Sequence, residues 1–498
     1  MLFNSVSFLI FFPIVVFVYF VIPKKARQIW LLLASYYFYM NWNPKYALLI
    51  LASTIITWLT GIIIGYFREK HKSGMPQRLC VVLCCFVNLG ILALFKYFDF
   101  IIENVNFLAR HFGLQMVSKP FDVLLPVGIS FYTFQALSYI IDVYRRDVKV
   151  EKNFVCYALY VSFFPQLVAG PIERSTNLLI QIVDLPRKKL MNYQRITDGL
   201  IYMLYGFFLK MVIADRASLL VDYVFDEWYL FGTVELCIGA MMFAIQIYCD
   251  FASYSAIAIG ASQVMGITLM ENFEAPYFAL SIKDFWRRWH ISLSTWFRDY
   301  VYIALGGNRC SKIRKYFNLL VTFIASGLWH GANWTYIFWG GIHGLFQVIG
   351  DVLRPIKRKL YPHFGINMDS ISYKIGQALT TFILVDFAWI FFRAESVKVA
   401  FGYIRNMVTR WNPWVISNES LYNIGLSHYE WNVLLLALIV LFLVDLIRIV
   451  KGERIDGFLK RQGTFTKGIF IIFLILLIAI YGQYGGGFDE KQFIYFQF

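Results

Sequence analysis

Apolar residues gather along this chain in blocks, several of them close to the ~20 residues that an α-helix needs to cross about 30 Å of hydrocarbon. The blocks at 5–22, 46–67, 79–98, 124–144, 199–214, 233–266, 317–353, 371–392, 433–450 and 468–481 predict membrane helices. The longest stretch, 317–353, has room for one bent helix or a helix pair. A short aromatic segment, 30–40, precedes a turn at Asn41-Trp42-Asn43-Pro44. The run 154–169 is broken by Pro165 and ends in Ala169-Gly170-Pro171. It predicts a half-helix or re-entrant piece, which is tolerated at membrane depth only where protein or a water-filled cavity covers the exposed backbone. The expectation is an all-α polytopic membrane protein, with roughly ten to twelve crossings and re-entrant pieces in one continuous domain over 1–498. The pattern favours a helical bundle over a barrel, whose strands would alternate apolar and polar residues over about ten positions each.

The polar positions orient these blocks. Lys24, Lys25 and Arg27 follow the first, Arg68, Lys70, Lys72 and Arg78 follow the next long one, and 451–467 is again basic. By the positive-inside rule these loops are cytosolic, which puts the N-terminus and the tail 485–498 on the outer side of the membrane. The first block lacks a basic leader and an A-x-A site, so it is expected to be a retained helix. Hydrophobic residues are 59% of the 498 and charged ones 15%, with mean hydropathy +0.58, as an integral membrane protein requires. The net charge of +15 lies in the short loops, so it implies a lipid bilayer and no nucleic acid. Seven cysteines, most of them within or beside apolar blocks, read as small buried hydrophobes and not as a disulfide framework. The stretch 277–315 differs in kind: eight Lys/Arg stand against Asp284 and Asp299, interleaved with Trp, Phe and Tyr. It predicts a basic amphipathic helix and loop at, or dipping below, the cytosolic surface.

Two histidines fall in otherwise membrane-like sequence. His330 lies in Leu328-Trp329-His330-Gly331-Ala332-Asn333, and His290 ends Phe285-Trp286-Arg287-Arg288-Trp289-His290. An ionisable group at membrane depth is costly and usually faces a cavity or a partner. A neutral imidazole there can take the proton of an acceptor hydroxyl as that oxygen attacks an activated acyl group; the alternative is a histidine bonded to a neighbouring helix. The Arg287-Arg288-Trp289 run is either an interfacial anchor or a receptor for an anionic, phosphate-bearing donor. Asp250, among Gln246, Tyr248, Ser253 and Tyr254, and Asp386 are structural partners of a cation or functional groups. Metal binding fails on spacing: His330 and His343 are thirteen apart, on different faces of a helix, and there is no H-x-x-x-H. Walker A, G-x-G-x-x-G and G-x-S-x-G motifs are also missing.

Five motifs in order, Gly128-Ile129-Ser130-Phe131-Tyr132-Thr133-Phe134-Gln135, Val168-Ala169-Gly170-Pro171-Ile172, Gln246-Ile247-Tyr248-Cys249-Asp250-Phe251, Phe285 to Ser292, and Leu328 to Ala332, resemble the membrane-bound O-acyltransferases in their bacterial alginate O-acetyltransferase-like branch. The resemblance implies a helical bundle in which cytosolic and outer vestibules meet at a central tunnel. It makes His330 the histidine of the family's W-H-G motif and His290 its second polar position. Arg287, Arg288, Trp289, Asp250 and Asn333 become candidates for the donor site or tunnel. The ending Phe493-Ile494-Tyr495-Phe496-Gln497-Phe498 is similar to the F-I-Y-x-x-F end of a small partner in teichoic-acid D-alanylation, which makes Tyr495 a candidate acyl relay, with an aromatic anchor as the alternative. Ala256 and Ala304 depart from the branch's usual Asp and Pro, and the first bears on the network around Asp250.

The resulting expectation is a membrane O-acyltransferase that passes acetyl from acetyl-CoA across the membrane for O-acetylation of an extracellular or cell-wall polysaccharide. An extracytoplasmic O-acetyltransferase partner is expected with it. The alternatives are D-alanyl transfer from a phosphopantetheinyl carrier protein to teichoic acid, a polytopic transporter or flippase with a histidine proton path, and a non-catalytic scaffold.

Overall fold

The computed structural model describes residues 1–70, 74–118, 125–484 and 493–494, and within them the chain is helical with no strand. It divides into two compact units, 1–203 with 257–270 and 204–256 with 271–498.

The first unit opens with α1 (Val6–Val21), α2 (Arg27–Met40), α3 (Pro44–Glu69), α4 (Met75–Lys96), α5 (Phe98–His111), α6 (Ile129–Arg145) and α7 (Phe154–Ser162). The expected turn at Asn43-Pro44 starts α3: the Asn43 side chain accepts the Lys45 N–H, and Pro44 takes the first helical position. The amphipathic α5 was not anticipated, because Asp99, Glu103, Asn104 and Asn106 interrupt the run of apolar residues along the sequence. Helix α7 stops before Pro165, and the irregular chain after it is wholly buried. Its backbone is satisfied locally, with the Gly170 N–H on the Gln166 carbonyl at 3.0 Å. Gln135 on α6 ties down the rest, donating to the Tyr160 carbonyl at 2.6 Å and accepting from Gln166 at 2.8 Å. This is the half-helix expected of 154–169. After α8 (Ile180–Val183), α9 (Tyr193–Phe208) begins; its Gly199 lies against Gly260, where a Cβ on either would meet the other's carbonyl oxygen. Small residues at such crossings let backbones approach.

The second unit carries a π-helical turn, Leu209–Ala214, then α10 (Asp215–Asp226), α11 (Thr233–Val264, up to residue 256), α12 (Ile282–Arg288) and α13 (Ile291–Phe297). The hairpin of α14 (Lys312–His330) and α15 (Trp334–Leu360) follows, then α16 (Ile371–Arg393), α17 (Val397–Thr409), α18 (His428–Lys451), α19 (Ile455–Lys460) and α20 (Thr464–Tyr481). The block 317–353 is therefore a helix pair, broken at Gly331-Ala332-Asn333. Stretch 277–315 is not one continuous helix. It is cut at Trp289-His290 into two seven-residue helices, because Phe285, Trp286, Trp289 and His290 are buried while Lys283 and Arg287 stay exposed.

Seven helical segments among the described residues are long and apolar enough to cross a membrane: Pro44–Glu69, Met75–Lys96, Tyr193–Asp226, Thr233–Val264, Ile371–Arg393, His428–Lys451 and Thr464–Tyr481. The sixteen-residue α1 is a shorter apolar helix.

Candidate functional site: a buried histidine pair beside a cationic cavity

His290 and His330, forty residues apart in sequence, meet in the second unit with ring centroids 6.4 Å apart. Both are buried. His330 is the last residue of α14, and the chain turns straight after it. A Cβ at Gly331 would enter the Tyr336 ring, while one at Gly327 or Gly340 would strike the backbone of the facing helix. The glycines thus hold α14 and α15 close and fix where His330 points. Its ring meets the edges of Trp339 at 5.1 Å and Phe392 at 5.4 Å.

His290 caps α13 in a left-handed conformation, φ +42, a region that costs a non-glycine residue roughly 1–2 kcal/mol. Asn272 holds it there. The Asn272 carbonyl accepts the Ile291 N–H at 3.0 Å, its side-chain oxygen accepts the Ser292 hydroxyl at 2.6 Å, and its amide donates to Ser255 on α11 at 3.0 Å. Phe251, also on α11, meets the His290 ring edge-on at 4.5 Å. We expect Asn272→Ala to leave two buried hydroxyls without that partner, at about 1–3 kcal/mol, and to lower transfer with it. Thermal unfolding of the solubilised protein and a transfer assay check this, and Asn272→Asp, which keeps the acceptor, should restore part of both.

A cavity of about 1400 Å³ opens beside the pair. Eight of its lining residues are Lys or Arg, among them Lys283, Arg287, Arg298, Lys315, Arg354 and Lys374, against Asp351 and Asp369. Asp351 pairs with Lys315 and, at 3.6 Å, with Arg354. Lys283, exposed but partly desolvated at the cavity wall, is held below the ordinary lysine value, first by that desolvation and then by Arg287 and Arg354. Trp286, Phe323 and Ser326 also line the cavity. Trp286 donates to His343 Nδ1 at 3.3 Å and packs on Trp339 at 5.6 Å, while Ser326 precedes His330 by about one turn, about 6 Å of helix rise.

The other sequence candidates separate. Arg287 lines the cavity; Arg288 turns to Asp284 at 3.2 Å and the Glu274 carbonyl at 3.4 Å. Trp289 is stacked on Phe285 and packed against Trp389. Asn333 caps α15 through the Thr335 N–H at 3.0 Å and donates to the Glu395 carbonyl at 3.1 Å. Asp250 pairs with Lys210 at 2.6 Å and accepts the Ile494 N–H at 2.6 Å. Tyr495 lies outside the described residues. Of the tail 485–498 only Phe493 and Ile494 are described; both are buried. Lys210, Asn272, Lys315, Arg354 and the buried His343 were not singled out from the sequence as site residues. Lys210 and His343 carried a signal, as ionisable residues inside the apolar blocks 199–214 and 317–353.

The family model for MBOAT, the membrane-bound O-acyltransferase family, matches residues 148–394, which include both histidines, Arg287 and Asp250. Over 453 residues the chain is 38% identical to the probable alginate O-acetylase of Pseudomonas aeruginosa, covering 89% of this chain and 81% of that protein. The chain belongs to the membrane-bound O-acyltransferase family. It is a multi-pass membrane O-acyltransferase. To the peptidoglycan O-acetyltransferase of Helicobacter pylori it is 34% identical, covering 82% of this chain and 80% of that protein. To the teichoic acid D-alanyltransferase of Bacillus subtilis it is 28% identical, covering 58% and 72%.

Proposed function

We propose that this acyltransferase takes acetyl from cytosolic acetyl-CoA and delivers it, across a bacterial cytoplasmic membrane, for O-acetylation of a surface polysaccharide. The observation that carries this reading is the cation-lined cavity whose wall reaches within a helical turn of His330. Lys283, Arg287 and Arg354 match the phosphates of a coenzyme A thioester through charge-assisted contacts, and the apolar floor at Trp286 and Phe323 suits its pantetheine arm. His330 then acts as general base. The acceptor hydroxyl oxygen attacks the thioester carbonyl as its proton passes to the imidazole; the tetrahedral adduct collapses, the C–S bond breaks, and the imidazolium returns the proton to the leaving thiolate. His290, held by Asn272, orients the reacting groups. Tyr495 supplies an intermediate acceptor hydroxyl, from which an extracytoplasmic O-acetyltransferase moves the acetyl to the polymer.

The polysaccharide acceptor is supported by the names of the relatives, an alginate O-acetylase and a peptidoglycan O-acetyltransferase. The likeness to teichoic acid D-alanyltransferases favours one second reading, a D-alanyl group arriving on a carrier protein. Proteoliposomes supplied with labelled acetyl-CoA separate the two. Acetyl-CoA should serve as donor, and Arg287→Ala should raise its KM about 10-fold, in line with the loss of one charge-assisted contact. No transfer from free acetyl-CoA, with transfer from an acylated carrier, would replace the acetyl reading by the carrier one.

A further inference from the structure

Three ionisable side chains lie together in the interior of the second unit, away from the cavity. Lys210 Nζ is 2.6 Å from Asp250 and 3.0 Å from Asp215, and all three are at most 3% exposed. Buried ion pairs are weak contributors to stability, because desolvation offsets their attraction. This one has a ligand. Asp250 gives one carboxylate oxygen to Lys210 and the other to the main-chain N–H of Ile494, at 2.6 Å. The preceding residue is gripped by its side chain: the Lys210 ammonium lies 4.2 Å from the centre of the Phe493 ring, a favourable cation–π distance, and Tyr254 meets that ring edge-on at 5.1 Å.

A second anchor holds the root of the same segment. The Met211 carbonyl, inside the π-helical turn, accepts the Gln483 N–H at 2.9 Å, and Arg216 donates to the Tyr481 carbonyl at 2.8 Å. Both anchors come from residues 210–216 together with Asp250 and Tyr254 on α11. Tyr254 is also three residues beyond Phe251, the residue against His290, and positions so spaced share a helix face.

We infer that Lys210, Asp215 and Asp250 form a binding site for the chain's own C-terminal segment, a seat that reads an aromatic side chain followed by a main-chain amide. Lys210 and Asp215 orient Asp250, Asp250 holds the Ile494 amide, and the seat sets where the residues after Ile494 start. It is a positioning site. Its consequence for transfer rests on the Tyr495 reading above, whereas the seat itself does not.

Hydrogen exchange of the full-length protein in detergent, followed on C-terminal peptides that contain Ile494, tests it. The Ile494 amide should exchange about 100-fold or more slowly than an unstructured one, as a buried bonded amide does. Asp250→Ala removes the acceptor, and Phe493→Ala removes the gripped ring without touching the helices; each should return that amide to fast exchange and cut acetyl transfer at least about 10-fold. Fast exchange in the wild type, or protection unchanged in both variants, would overturn the seat. Lost protection with transfer at the wild-type level would leave the seat standing and remove Tyr495 from the route.

Discussion

His330→Ala is expected to lower acyl transfer by about 10²–10⁴-fold, the range for loss of a positioned general base, with the donor KM unchanged. The geometry supports an effect on kcat and not on donor binding. His330 does not line the cavity; Ser326, one turn earlier, does. Removing the imidazole therefore leaves the cationic wall of Lys283, Arg287 and Arg354 in place. Donor binding and chemistry separate into different residues, and the KM-against-kcat split reads that separation directly. The measurement is initial-rate transfer of labelled acetyl in proteoliposomes, with insertion and folding of the variant checked by size-exclusion profile. His343→Ala is the control. Its ring is also buried, bonded to Trp286 and packed on Trp339 at 5.1 Å, one layer from His330. It should cost stability and far less rate. Undiminished transfer by His330→Ala would take that residue out of the mechanism.

Much of the fold was legible because a membrane imposes a simple rule: apolar length predicts a helix, and Pro or Gly predicts its break. The half-helix before Pro165 followed from local sequence, whereas the stretch 317–353 left one bent helix and a helix pair both open. What escaped has a physical pattern. Helix α5 carries its polar residues on one face, so block hydropathy passes over it. The stretch 277–315 reads by composition as amphipathic, yet Phe285 and Trp289 pack inward while Trp286 and Phe297 line the cavity together with Lys283, Arg287 and Arg298, a division that residue counting averages away. Asn272 acts on His290 from eighteen positions upstream through one carbonyl and one amide, and nothing local marks it. Arg288 shows the reverse error: its neighbour Arg287 lines the cavity, but helical geometry carries the next residue about 100° round to Asp284. His290 and His330 were legible as separate residues of interest. Their meeting needed the turn at Gly331 and the left-handed residue at 290, which are tertiary facts.

Lys210→Met is the substitution with the largest expected effect on stability, about 3–5 kcal/mol, the range for removing one partner of a buried ion pair. The reason is charge balance. One ammonium faces two buried carboxylates, both within 3.0 Å of it, and without it they face each other in apolar surroundings. The Met side chain is close to Lys in length, so lost packing is a small part of the result. The double variant Lys210→Met with Asp250→Asn tests the argument, since it removes a cation and an anion together. Its loss should be well below the sum of the two single losses, because charges that go together leave less unpaired. Thermal unfolding of all four proteins in the same detergent gives the cycle. Simple additivity would mean that Lys210 and Asp250 act on stability independently, and the buried pair would then have to be explained by its hold on the tail alone. Because Asn keeps an oxygen to accept the Ile494 N–H, the double variant should also retain more of the tail's protection than Asp250→Ala. Stability and seating are thus separable: the first follows the balance of charge around Asp250, the second the oxygen it presents.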